Sequence, residues 1–131
     1  MADKVRVILA DDRASVRSSL RLLLGEEAAI EVVAEAADAL ALLRVQAQQP
    51  AELIMIDWEL PGLPLAQLLH LLRYQRQGLL IVAMSSNPDG CQQALASGAD
   101  ACVDKSQAPD QVLATLRSLP IYQPLDHPAE A

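Results

Sequence analysis

The strongest constraint on this chain of 131 residues is a repeated change of hydrophobic period: five apolar runs of strand length each give way to a run of helix length. "KVRVILA" (4–10), "IEVVAE" (30–35), "AELIMID" (51–57), "GLLIVAM" (78–84) and "DACVD" (100–104) read as strands. The third is apolar almost throughout and ends in Asp57, as a strand buried on both faces should be. Between them, Val16, Leu20, Leu23 and Leu24 recur at helical spacing over 14–24, with Gly25 as the residue just past the helix end. Asp38 caps a second helix to about 48, with Leu40, Leu43 and Ala47 facing inward. "LPGLP" turns the chain into a third helix to about 75, carrying Leu65, Leu68, Leu69 and Leu72. "SSNPDG" reads as a loop before a short helix over 90–97, closed by Gly98. Pro109 opens a last helix to about 119, with Val112, Leu113 and Leu116 buried.

Strict alternation of five strands and five helices predicts an α/β, three-layer sandwich around a doubly wound five-stranded parallel sheet of order 2-1-3-4-5. Residues 1–119 form one domain, and 120–131, with Pro120, Pro124 and Pro128, reads as a tail or linker. There is no Phe, so the core is built from aliphatic side chains. The net charge of −7 comes without any basic cluster, which argues against direct nucleic-acid binding by this segment. No apolar stretch approaches the ~20 residues of a membrane span, and "MADKVRV" has no signal-peptide core, so a cytoplasmic, non-membrane protein is expected. Cys91 and Cys102 are too few and too far apart for a disulfide scaffold, and both read as small buried hydrophobes.

In this fold, ligands bind beyond the carboxyl ends of the strands, where the winding direction reverses. Polar groups gather at that edge: Asp11 and Asp12 after the first strand, Asp57 at the end of the third, Ser85 after the fourth and Lys105 after the fifth. Three crowded carboxylates raise one another's pKa values unless a cation neutralises them. An all-oxygen ligand set without His or Cys suits Mg²⁺, which keeps several waters and takes one or two carboxylates. Lys105 then offers a point charge for phosphate and Ser85 a hydroxyl donor. Asp57 is left as the nucleophile of an aspartyl-phosphate. In-line transfer needs positioning and charge neutralisation more than acid–base chemistry, which agrees with the absence of His from the set.

These residues resemble the receiver domains of bacterial two-component response regulators, over about 4–119. The resemblance implies a flavodoxin-like receiver fold, with Asp12 binding the metal directly, Asp11 through water, and the backbone carbonyl of Glu59 completing the site. It makes Asp57, in "DWELPG", the phosphoacceptor and matches Ser85 and Lys105 to the family's Thr/Ser and Lys positions. "SSNPD" and "GADACVDKS" are most similar to the class that precedes LuxR-type helix-turn-helix output domains. Implied partners are a sensor histidine kinase or phosphotransfer protein, an output domain or downstream protein, and a second copy of the chain on phosphorylation. The resemblance also implies a domain that assists its own phosphoryl transfer and autodephosphorylation, with no turnover of a free substrate expected. The aromatic switch position of the family is Cys102 here, and the residue after Lys105 is Ser106 instead of the common Pro.

The competing reading is a pseudo-receiver that works by protein contact alone, and the complete Asp, Ser and Lys set weighs against it. Trp58 reads as a lid over the polar site. Glu59 and Asn87 either border the phosphoryl group or are simply solvated, and Asp104 reads as a solvated neighbour. His70 and His127 read as surface residues.

Overall fold

The computed structural model describes residues 4–120. The tail assigned to 120–131 and His127 therefore lie outside the described residues, except for Pro120. Ten elements alternate along the chain: β1 (Val5–Ala10), α1 (Ala14–Leu24), β2 (Ile30–Ala36), α2 (Ala39–Gln48), β3 (Leu53–Asp57), α3 (Leu65–Gln75), β4 (Leu80–Ser85), α4 (Pro88–Ala96), β5 (Ala101–Asp104) and α5 (Pro109–Arg117). The strands pair in parallel in the order β2-β1-β3-β4-β5. This is the expected doubly wound, flavodoxin-like sandwich.

Successive residues of a strand face opposite sides of the sheet, and the core divides accordingly. Leu53 and Met55 of β3 join Val7, Leu9, Val82 and Met84 under α1 and α5, where Leu24, Val112, Leu113 and Leu116 close the layer. Ile54 and Ile56 join Ile8, Ile81 and Ala83 on the other face, covered by Leu42 of α2, Leu68, Leu69 and Leu72 of α3, and Ala94 of α4. β3 is buried along its whole length, as its unbroken apolar run requires. No helix among the described residues is long and apolar enough to cross a membrane.

Four local expectations need correction. The fully buried residues of α2 are Ala39, Leu42 and Gln46, and Leu43 packs half-buried against the core as expected, while Leu40 is 63% exposed and Ala47 is exposed. A polar residue sets the helix phase: buried Gln46 accepts from the Ala51 N–H at 2.9 Å and donates to the Ala51 carbonyl at 3.2 Å, which satisfies its amide and ties α2 to the start of β3. Helix α4 begins at Pro88, two residues earlier than expected, because Asn87 caps it by accepting from the Gly90 N–H at 2.7 Å, with proline in the first turn. Gly25 stays in the right-handed helical region with φ −63°, so α1 ends without the left-handed glycine turn, whereas Gly98 after α4 does adopt φ 109°.

The fourth correction concerns the cysteines. Cys91 on α4 and Cys102 on β5 are half-buried and joined in a disulfide, with Cα atoms 5.5 Å apart. Their separation of 11 residues is long along the chain but short in space. The loop at Gly98 returns the chain from α4 directly into β5, so the two elements lie side by side.

Candidate functional site

Strand register sets the level at which each polar residue leaves the sheet. Ala10, Ile56, Ala83 and Cys102 form one row across β1, β3, β4 and β5. One residue further, Asp11 follows β1 and Asp57 ends β3; Ser85 ends β4 another step on, and Lys105 follows β5. The carboxyl edge of the sheet therefore presents all of them together.

Asp11 is fully buried, its N–H donating to the Ala36 carbonyl at 3.0 Å. Its Oδ1 accepts from the Arg13 N–H and its Oδ2 from Lys105 Nζ, each at 2.9 Å. Asp57 is 4% exposed, and its Oδ1 faces Lys105 Nζ at 3.2 Å while accepting from the Glu59 N–H at 3.1 Å. Both contacts fall on one oxygen, and Oδ2 carries no hydrogen bond among the described residues. Asp12 stands exposed at the mouth. One oxygen from each of Asp11, Asp12 and Asp57 lies within 4.8 Å of the others, a cluster able to hold a metal ion. Lys105 supplies one positive charge against these three acids, so the site as built keeps an unbalanced negative charge that a divalent cation fits.

Burial, the largest influence on Lys105, works against its charge. The hydrogen bond to Asp11 and the charge of Asp57 outweigh it, and the lysine pKa sits above its ordinary value. Lys105 is thus a fixed cation at neutral pH, placed between the two buried carboxylates.

Behind the site, Arg17 of α1 donates to the Asp11 carbonyl at 2.6 Å and pairs with Glu35 of β2 at 2.8 Å. Arg21 meets the second oxygen of Glu35 at 2.7 Å. Hydrogen bonds from Arg21 and Arg17 hold the Glu35 carboxyl below its ordinary pKa. Asp104 accepts from the N–H and hydroxyl of Ser106 and is likewise held low, as a neighbour in the turn outside the acid cluster.

Ser85 is 3% exposed, and its hydroxyl is engaged by the Asn87 backbone: it donates to the Asn87 carbonyl at 2.9 Å and accepts from the Asn87 N–H at 3.2 Å. Gly90 packs directly against it, since a Cβ there would lie 2.1 Å from Ser85 Oγ. Trp58 is half-buried, packs on the apolar core beneath α3, and lines a groove with Glu59, Ser85, Asn87, Asp89 and Gln93. Asn87 is a helix cap, and His70 is exposed on α3. Sequence reasoning overlooked Arg17 and Gly90. The contacts of Arg17 are long-range and invisible in the chain, whereas "NPDG", with its cap residue and proline, carried a signal for a helix start that the loop reading passed over.

Residues 7–117 match the response regulator receiver domain family. The chain belongs to this family. As a receiver, it is 34% identical over 106 residues to a protein-glutamate methylesterase/protein-glutamine glutaminase of Rhodopseudomonas palustris, a similarity covering 78% of this chain and 29% of that protein. The receiver therefore spans less than a third of that relative's length. Among solved structures, it superposes on a LuxR-family two-component response regulator from Aurantimonas sp. SI85-9A1 with a TM-score of 0.80 at 25% identity, covering 88% of this chain and 84% of that one. The signal receiver domain of the NarL response regulator from Mycobacterium tuberculosis matches with a TM-score of 0.76 at 25% identity, covering 90% of this chain and all of the other. Receiver, fold and membership of two-component signalling agree with the resemblance drawn from the motifs, while the relatives carry different output functions.

Proposed function

We propose that this receiver is a phosphorylation-operated switch, with Asp57 as phosphoacceptor and Mg²⁺ held by Asp12, Asp57, the Glu59 carbonyl and, through water, Asp11. The observation that carries the reading is Lys105 Nζ reaching Asp11 at 2.9 Å and Asp57 at 3.2 Å beside an exposed third acid. Bound Mg²⁺ would shield the carboxylates and neutralise charge on the transferring phosphoryl group.

The residues of the chain divide the remaining work. Asp57 Oδ2, unencumbered by hydrogen bonds, attacks phosphorus; the O–P bond forms as the N–P bond of a donor phosphohistidine breaks, its electron pair stays on the ring nitrogen, and the imidazole leaves neutral with the proton already on its other nitrogen. Lys105, permanently charged, holds Asp57 in place and offers its ammonium to the new phosphoryl oxygens. Ser85 turns its hydroxyl from the Asn87 backbone to the phosphoryl group, and Trp58 covers the groove against water. Because Ser85 is seated against the first turn of α4, its rotation moves the α4–β5–α5 surface that a downstream partner or an attached output domain would sense.

On this reading the donor is a sensor histidine kinase, a phosphotransfer protein or a small acyl phosphate, and the compartment is the cytoplasm. Residues 1–119 act as one receiver unit followed by a linker, without turnover of a free substrate.

The test is fluorescence of Trp58, the only tryptophan. Beryllofluoride added with Mg²⁺ should change its emission, and Asp57→Asn should abolish the change. A folded protein that gives no response would overturn the reading in favour of a receiver working by protein contact alone.

A further inference from the structure

The disulfide lies where the proposed switch has to move. Cys91 follows Gly90, whose backbone packs on Ser85, and Cys102 lies on β5 three residues before Lys105. The bridge thus ties the helix turn that seats Ser85 to the strand that delivers Lys105. β5 is the edge strand, and both cysteines are half-buried, so the bridge lies at the margin of the core and not within it. The bond joins α4 and β5 at their point of contact, leaving the acid cluster itself untouched.

We propose that Cys91–Cys102 is a redox site that gates the receiver: the disulfide holds α4 against β5 with Ser85 turned to Asn87, and reduction releases α4 for the active arrangement. This rests on the phosphoryl-switch reading above. In a cytoplasm where thiol systems keep most cysteines reduced, a bridge persists chiefly when it reports redox state. The chemistry is thiol–disulfide exchange with a cellular dithiol. One thiolate attacks a bridge sulfur, giving a mixed disulfide and one protein thiol; the second thiolate resolves it. Cys91 and Cys102 together gain two electrons and two protons, and the dithiol is oxidised to its own disulfide.

The full chain is prepared oxidised, reduced with dithiothreitol, and as Cys91→Ser/Cys102→Ser, and each form is titrated with beryllofluoride at saturating Mg²⁺ while Trp58 emission is read. The oxidised protein should bind on the order of tenfold more weakly than the reduced protein, within the usual range for coupled sites. The double variant should match the reduced protein with or without reductant. Coupling is reciprocal, so beryllofluoride should shift the dithiol concentration that half-reduces the bridge downward by the same factor. Equal affinities in the oxidised and reduced forms, or free thiols alkylated in full under oxidising buffer, would overturn the gate and leave the phosphoryl switch standing. No response in any of the three forms would instead overturn the switch reading, and the gate with it.

Discussion

Gly90 has no room for a methyl group. Its Cβ would stand 2.1 Å from Ser85 Oγ and 3.0 Å from Ser85 Cβ, so Gly90→Ala must displace either the hydroxyl or the first turn of α4. Overpacking of this kind costs about 1–3 kcal/mol, read as a lower urea midpoint. Removing the hydroxyl relieves the closer contact, so Ser85→Ala/Gly90→Ala should lose less than the sum of the two single changes. Additive losses in that double-mutant cycle would show that the two residues do not press on each other. Lys105 argues the complementary case. Its ammonium is the cation contacting both Asp11, fully buried, and Asp57, 4% exposed, so Lys105→Met leaves two adjacent buried acids without their shared partner. Breaking a buried ion cluster by removing one partner leaves uncompensated charge, so the variant should show a lower urea midpoint, and an unchanged midpoint would show that the lysine does not hold the two acids together.

At the scale of elements, β1 is fastened to α1 and β2 through Glu35, which receives Arg17 and Arg21 while Arg17 also binds the Asp11 carbonyl. The Glu35 pKa is lowered by folding, so its contribution is complete above the ordinary carboxylate value of 4.5 and disappears as pH falls through the lower native value. Glu35→Gln should therefore cost about 1 kcal/mol at neutral pH, discounted for the exposure of Arg21, and the two stability curves should converge in acid. Parallel curves across the acid range would assign the loss to packing. Reducing the α4–β5 bridge frees a loop closed over 11 residues, which chain entropy values at about 3 kcal/mol. Helix α2 shows why elements were easier to read than their faces. Its span and Asp38 cap followed from local chemistry, since the side chain accepts from the Ala41 N–H as a cap should. Its buried stripe did not, because Gln46 is admitted to the core by Ala51, a partner beyond the helix end in the connection to β3.

For the whole molecule, the alternating periods determined the sheet order, and the order with its parallel register placed Asp11, Asp57, Ser85 and Lys105 at one edge. The site was legible for that reason: each of its side chains sits at or just beyond the end of a strand, where position along the chain translates directly into height above the sheet. The disulfide was not legible, because contact between Cys91 and Cys102 depends on the turn between α4 and β5, which sequence spacing alone does not measure. Global charge sets the last expectation. A chain of net charge −7 with three acids gathered at one edge is destabilised by self-repulsion, and a divalent ion bound there stabilises the native state by mass action. Mg²⁺ at ten times its dissociation constant should add about 1.4 kcal/mol, seen as a rise in Tm. Asp12→Asn should remove that gain, because Asp12 is the exposed acid of the cluster and carries none of the hydrogen bonds that hold Asp11 and Asp57 in place. Sodium chloride at matched ionic strength screens exposed charges throughout the surface and should act alike on both proteins. If Mg²⁺ raised the Tm of Asp12→Asn as much as that of the unmodified chain, the stabilising ion would be bound elsewhere.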